Sequence, residues 1–433
     1  MYIKRIDIRN IRGFEKLQFD LTRLNGSYEG WTVFTGDNGS GKSTLFKAIA
    51  ACLVGRDTAR ALQPSFVGWP RSGADSGESS ILLEIVRVED DDNLSTTGTA
   101  PSAPFPAKLV IKRSSKEPTL EASLPPLKKE NYHTPDRTIW SSEAGGWFSC
   151  GYGPFRRVFG ASSEATQQMV SANTTRYATM FNEAASLSQA DRWIRDLDYK
   201  ALEGRPEEKR QKEIILAILQ DELMPEDLKI EKIDSDGLWL KDKNGTLLSW
   251  HDMSDGYRAA LALLVDILRN MIAIYGSESL CEDDAMGKLI VKRSGVVLID
   301  EIDAHMHPEW QRRIGFWLKS HFPKVQFLVT THSPIICQAA DPNGIFKLPQ
   351  PASGEQPFAV SKADYQTIIA ARPDTILLTP AFGLQETRSD LAVEKRQFYA
   401  KIRSKERSGA ELSQEEKAEL KQLSLFADIE EEL

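Results

Sequence analysis

The residues Gly36-Asp37-Asn38-Gly39-Ser40-Gly41-Lys42-Ser43-Thr44 have the types and spacing needed to wrap a chain of phosphates. Glycine at 36, 39 and 41 lets backbone N–H groups close round an anion, because no Cβ stands in the way. Lys42 has the reach and charge to meet the β- and γ-phosphates of ATP, and the Ser43 hydroxyl suits Mg²⁺. Such a loop works only between a strand and a helix. Trp31 to Thr35 before it is β-branched and aromatic, and Leu45 to Ala51 after it has helix propensity. The helix N-terminus would add unpaired N–H groups and a partial positive charge at the same point. The whole run, Asp37, Asn38, Ser40 and Thr44 included, is therefore expected to bind nucleotide.

Two further strands carry polar residues at their ends. Gly295 to Ile299 is apolar and runs into Asp300-Glu301. A carboxylate at the tip of a buried parallel strand gives Mg²⁺ a second anchor, which is the expectation for Asp300. Glu301 points to the other side and could orient or deprotonate the attacking water. Val325 to Thr331 runs into His332-Ser333-Pro334, which sets His332 at a carboxyl edge, within reach of a γ-phosphate. Met253-Ser254-Asp255-Gly256-Tyr257-Arg258 precedes a helix with Ala260, Leu261, Leu264, Val265, Leu268 and Met271 at spacings of three and four. Ser254 is placed to cap that helix, and Gly256 keeps its first turn open.

Lying between the phosphate loop and an Asp-Glu strand, the Ser254-Asp255-Gly256 run resembles the signature motif of ABC-type ATPases. The set resembles the RecF, SMC and OLD branch of those ATPases. Ile8-Arg9-Asn10-Ile11-Arg12-Gly13-Phe14 is similar to its opening strand and turn, and Asp300 to Pro308 to its Walker B motif and D-loop. The resemblance implies an α/β fold of the P-loop NTPase, ABC-ATPase type: a mixed central sheet with a helical lobe. It implies that Asp300 holds Mg²⁺, that Glu301 is the general base and that His332 is the switch histidine. It also implies that Ser254 and Gly256 complete the site of a second subunit in a head-to-tail dimer, and that Arg12 approaches the nucleotide. Gly151 to Arg157 and Phe382 to Arg388 resemble the ATPase subunits of antiphage systems of the Septu (PtuA) and PARIS (AriA) types. Lys42 and Ser254 are too close in sequence for a long coiled-coil arm, and no sustained heptads occur. For the Q-loop glutamine, Gln63 comes early and Gln167 or Gln168 is better placed.

The elements that must position these groups divide the 433 residues into four stretches. Residues 1–115 and 231–350 are expected to form the two halves of the ATPase core. Residues 116–230 would form an insertion and helical lobe, and 351–433 a helical extension. Within the lobe, Ser188 to Asp191 reads as a capping box variant and Pro206 opens a second helix. Asp234 to Gly237 and Asn244-Gly245 bracket a short β-meander, and residues 90–106 read as an exposed loop. Ser413 to Glu416 caps a last helix whose Leu420, Leu423, Phe426 and Leu433 either pack on the core or dock another chain.

Composition narrows the function. A net charge of −8 argues against a generally basic DNA-coating protein. Lys108, Lys112, Arg113, Lys116, Lys128 and Lys129 fit a local groove or a solvated face equally. The four cysteines are scattered, and neither a secretory leader nor a membrane span is apparent, so a cytoplasmic protein is expected. The six histidines form no His-Asn-His set, and neither the Asp390 and Glu394 region nor any other resembles a nuclease metal site. The expectation is an ATPase, slow rather than fast, that is no nuclease itself. It would form homodimers and higher oligomers such as a trimer of dimers, and it would control a separate effector nuclease, with DNA or a phage protein as further candidate partners. The alternatives are a RecF-like repair ATPase and a nucleotide-dependent scaffold.

Overall fold

The computed structural model describes residues 1–73, 78–112, 117–122, 134–156, 172–224, 228–351, 353–409, 411–418 and 420. The expectations placed on Arg113, Lys116, Lys128, Lys129, Arg157, Gln167, Gln168, Leu423, Phe426 and Leu433 lie outside these residues. The chain divides into two compact units, Met1–Phe382 and Gly383–Leu433.

In the larger unit, β1 (Tyr2–Ile11) and β2 (Phe14–Asp20) pair antiparallel. The chain then passes through β3 (Gly30–Thr35) into helix α1 (Lys42–Leu62). Next, β4 (Ser79–Val86), β5 (Phe105–Lys112) and β6 (Thr119–Ala122) complete an antiparallel sheet in the order β2-β1-β4-β5-β6. After β7 (Ser149–Tyr152) come α2 (Ser188–Leu202) and α3 (Pro206–Gln220). They lead to the meander β8 (Lys229–Asp234), β9 (Gly237–Lys241) and β10 (Leu247–Ser249), and then to α4 (Asp255–Tyr275). A hairpin of β11 (Cys281–Asp283) and β12 (Leu289–Val291) precedes β13 (Gly295–Ile299), α5 (Pro308–His321) and β14 (Val325–Thr330). β15 (Ile345–Lys347) and β16 (Phe358–Ala359) close a six-stranded sheet in the order β16-β15-β3-β14-β13-β7. Only the β15–β16 pair in it is antiparallel.

This mixed sheet is buried on both faces, which explains the unbroken apolar run of β13; in β14 the buried Gln326 is the exception, its amide paired with the Ile3 backbone. One face (Phe34, Leu298 and Leu328) packs on α1, whose Phe46, Ile49 and Leu53 meet Ile8, Ile81 and Leu109 of the antiparallel sheet. The other face (Val33, Val297 and Val329) packs on α4 and α5. Helix α4 in turn is covered by Ile194 of α2, Ile218 of α3 and Leu238 of the meander. So the helical lobe grips the helix that starts at Asp255.

Three local expectations change. Residues 90–106 are not simply an exposed loop: Asp91 and Asp92 are buried, because Asp91 takes Arg293 and the Ser294 N–H while Asp92 takes the Val88 and Trp147 N–H groups. Helix α2 has no capping box; it starts at Ser188, and Asp191 pairs with Arg195 one turn on. Ser254 does occupy the N-cap of α4, but its hydroxyl makes no capping bond. In the smaller unit, α6 (Asp390–Arg407) is capped by Ser389, whose hydroxyl accepts from the Ala392 N–H, and Ser413 and Glu416 exchange hydrogen bonds of 3.0 Å.

Candidate active site

Strand register builds the site. Thr330 of β14 lies opposite Phe34 of β3, Ile299 of β13 opposite Val329, and Ile299 opposite Tyr152 of β7. Four parallel strands therefore end together, and the chain leaves them at Gly36, Gly153, Asp300 and Thr331. Ligands of parallel sheets bind at this edge.

The loop between β3 and α1 needs two of its glycines for space. A Cβ at Gly41, where φ is 88°, would fall 2.2 Å from the Phe14 ring, and one at Gly36 would fall 2.6 Å from Ser40 Oγ. Ser40 Oγ is buried inside the loop without a hydrogen-bond partner. Asp37, Asn38 and Gly39 form the exposed tip, where Gln350 donates to Asp37 Oδ2 at 3.4 Å. Lys42 folds over the loop, its Nζ donating to the carbonyls of Gly36 at 2.8 Å and Asp37 at 3.1 Å. Burial holds the Lys42 pKa below its ordinary value, although Asp300, Glu301, Asp37 and Asp303 all act to raise it. Loop and acids are thus brought within electrostatic reach. Arg12 joins them: from the β1–β2 turn, at φ 49°, its guanidinium stacks on Trp69 and donates to Thr44 Oγ1 at 3.2 Å.

Behind the acids stands Thr330. Its hydroxyl donates to Asp300 Oδ1 at 2.5 Å and accepts from the Glu301 N–H at 2.7 Å. Asp300 is 1% exposed. Glu301 has φ 46°, a left-handed conformation that costs about 1–3 kcal/mol for a residue with a side chain. Beyond it, Thr331 Oγ1 donates to Asp303 Oδ1 at 2.5 Å and Ser333 Oγ to Gln311 Oε1 at 2.6 Å. Between those two anchored residues His332 is exposed at the edge.

Ser43 and Asp300 offer a hydroxyl and a carboxylate, the hard oxygens that Mg²⁺ prefers, and the glycine cradle with its unpaired Ser40 hydroxyl suits a phosphate chain. These residues fit Mg²⁺ and nucleotide. Among the described residues, Ser254, Asp255 and Gly256 make no hydrogen bond to residues 36–44 of the same chain. Gly256 abuts the turn that follows the two acids, where a Cβ would fall 2.4 Å from the His305 carbonyl.

Two residues escaped the sequence reading. Thr330 looks like any β-branched strand residue, and only its neighbours across β13 give it a task. Arg156 entered only within the run Gly151 to Arg157, yet it is buried, and its guanidinium donates to the backbone of the Asp300–Ala304 segment.

Residues 31–338 match the family profile described as AAA domain, putative AbiEii toxin, Type IV TA system (AAA_21). The chain belongs to this family. The AAA_21 match runs from β3 past His332, so it takes in the phosphate loop, the segment 254–256, the acid pair and the histidine. Among curated relatives, the chain is 25% identical over 397 residues to the Septu protein PtuA of Bacillus mycoides, covering 90% of this chain and 46% of that one. It is 25% identical over 418 residues to the Retron Vc95 probable ATPase of Vibrio cholerae, covering 84% and 79% respectively. The chain thus spans under half the length of the Septu relative. Among solved structures it is similar to the SMC head domain from Thermotoga maritima, with 14% identity, a TM-score of 0.43, and coverage of 83% of this chain and 100% of that one. No helix among the described residues is long and apolar enough to cross a membrane.

Proposed function

We propose that this AAA_21 protein binds and slowly hydrolyses ATP as the ATPase subunit of a bacterial antiphage complex, and so controls a separate effector nuclease. The observation that carries the reading is the common end of β3, β13 and β14, which puts Lys42, Asp300, Glu301 and His332 at one sheet edge. The Septu and retron relatives supply the context of defence.

In this reading residues 36–44 wrap the triphosphate, Lys42 neutralises its β- and γ-oxygens, and Arg12 guards the loop from the β1–β2 turn. Ser43 and Asp300 would hold Mg²⁺, which would offset charge developing on the phosphate oxygens. Glu301 takes a proton from the water that attacks the γ-phosphorus. The bond to the β–γ bridging oxygen breaks, leaving ADP and phosphate. His332 faces the γ-phosphate, and Ser254, Asp255 and Gly256 serve the nucleotide of a second copy.

Phosphate release from Mg·ATP by the purified protein tests this. Glu301→Gln should keep ATP affinity and lose turnover by roughly 100-fold or more, as expected when a general base is removed. Lys42→Ala should lose both. Turnover equal to wild type in either variant would overturn the assignment.

A further inference from the structure

Arg156 has an unusual set of partners for a buried arginine. It is 3% exposed, yet none of its hydrogen bonds to the described residues goes to a carboxylate. Nη1 donates to the carbonyls of Gly153 at 3.1 Å and Asp300 at 2.8 Å. Nη2 donates to those of Glu301 at 2.9 Å, Ile302 at 3.2 Å and Ala304 at 3.4 Å. Burial pushes its pKa down to about 10, with Asp300, Asp303 and Glu301 acting the other way. The guanidinium remains charged at neutral pH, held by carbonyl dipoles. One side chain therefore fastens the end of β7 to the backbone that leaves β13.

That backbone is the part of the site in need of fastening. Glu301 and His305 both have left-handed φ, at 46° and 65°. Such conformations persist in residues with side chains only where the surroundings over-determine them. Thr330 holds the Glu301 N–H from one side, and Arg156 takes its carbonyl from the other. Lysine could not do the same, because its ammonium is a compact point donor whereas the planar fork of arginine reaches separated acceptors together.

We infer that Arg156 is a positioning residue that holds the Asp300–Ala304 backbone with Glu301 in its left-handed conformation and so aims the Glu301 carboxylate. The inference rests on the ATPase reading above. Arg156 touches no phosphate in this account, so its loss should act on the catalytic step and spare nucleotide binding.

The test uses the full chain, with Arg156→Lys and Arg156→Ala each measured for affinity for an ATP analogue, kcat, melting temperature, and amide hydrogen exchange over residues 300–306. The expected result is analogue affinity within about threefold of wild type and kcat lower by on the order of 100-fold, the scale that a 1 Å misplacement produces. Faster exchange should be confined to 300–306. Where Arg156→Ala does not fold, Arg156→Lys, which keeps charge and bulk, carries the same measurements. Unchanged kcat, or equal losses of affinity and kcat, or unchanged exchange over 300–306, would overturn the inference. If wild-type protein itself released no phosphate, the ATPase reading would fail, and the exchange measurement alone would still report whether Arg156 fixes this turn.

Discussion

At the scale of single residues, the two acids at the end of β13 depend on one neighbouring hydroxyl. Thr330 Oγ1 gives its proton to Asp300 and accepts the Glu301 N–H, so one atom sets both the side chain of the first acid and the backbone of the second. Thr330→Val keeps the shape and removes both bonds. A hydrogen bond to a charged group contributes about 1.5–3 kcal/mol, and an orphaned buried N–H costs about 1–3 kcal/mol. Thr330→Val should therefore lower the melting temperature and depress phosphate release, while Thr330→Ser should stay near wild type in both. A valine variant indistinguishable from wild type by thermal unfolding and turnover would show that the acids stand without this bridge.

At the scale of elements, α4 links the segment 254–256 to the rest of the site. It is buried on all sides from Ala259 to Leu268, and this apolar core encloses Asp266, 4% exposed. Asp266 Oδ2 accepts from Tyr152 at 2.9 Å and from Asn270 at 2.9 Å, while Arg269 pairs with Oδ1 at 2.7 Å. Tyr152 ends β7, the strand that continues into Arg156, so this carboxylate registers α4 against the Arg156 clamp. Asp266→Ala would leave the buried Tyr152 phenol without its acceptor and Arg269 with only the Gln189 amide oxygen, at a cost of about 3 kcal/mol by urea unfolding. Asp266→Asn, which still accepts from Tyr152, should cost less. Local patterns made much of this legible: the phosphate loop between β3 and α1, the acids after β13 and the periodicity of α4 all lie within short windows. What stayed hidden depends on contacts across the chain. Nothing near Thr330 says that β14 lies between β3 and β13, and nothing near Asp91 and Asp92 says that they will be buried.

At the scale of the whole molecule, the unfinished piece is the start of α4. Ser254 is exposed, caps nothing and has no bond to the phosphate loop of its own chain, while Gly256, two residues on, abuts the His305 carbonyl. In the proposed function this hydroxyl waits for the nucleotide of another copy, and each copy would return the favour. Ser254→Arg should then cut turnover by roughly 100-fold, the scale seen when an aimed transition-state donor is lost, without weakening the phosphate loop of the same chain. Lys42→Ala has the complementary defect: an intact segment 254–256 and a loop that holds no ATP. Mixing the two inactive proteins discriminates between sharing and self-sufficiency. A mixed pair contains one composite site with the Lys42 of one chain and the Ser254 of the other, so phosphate release should return on mixing and rise with total protein concentration. If each chain used its own Ser254, both sites in every pair would carry a defect, and the mixture would stay as inactive as its parts.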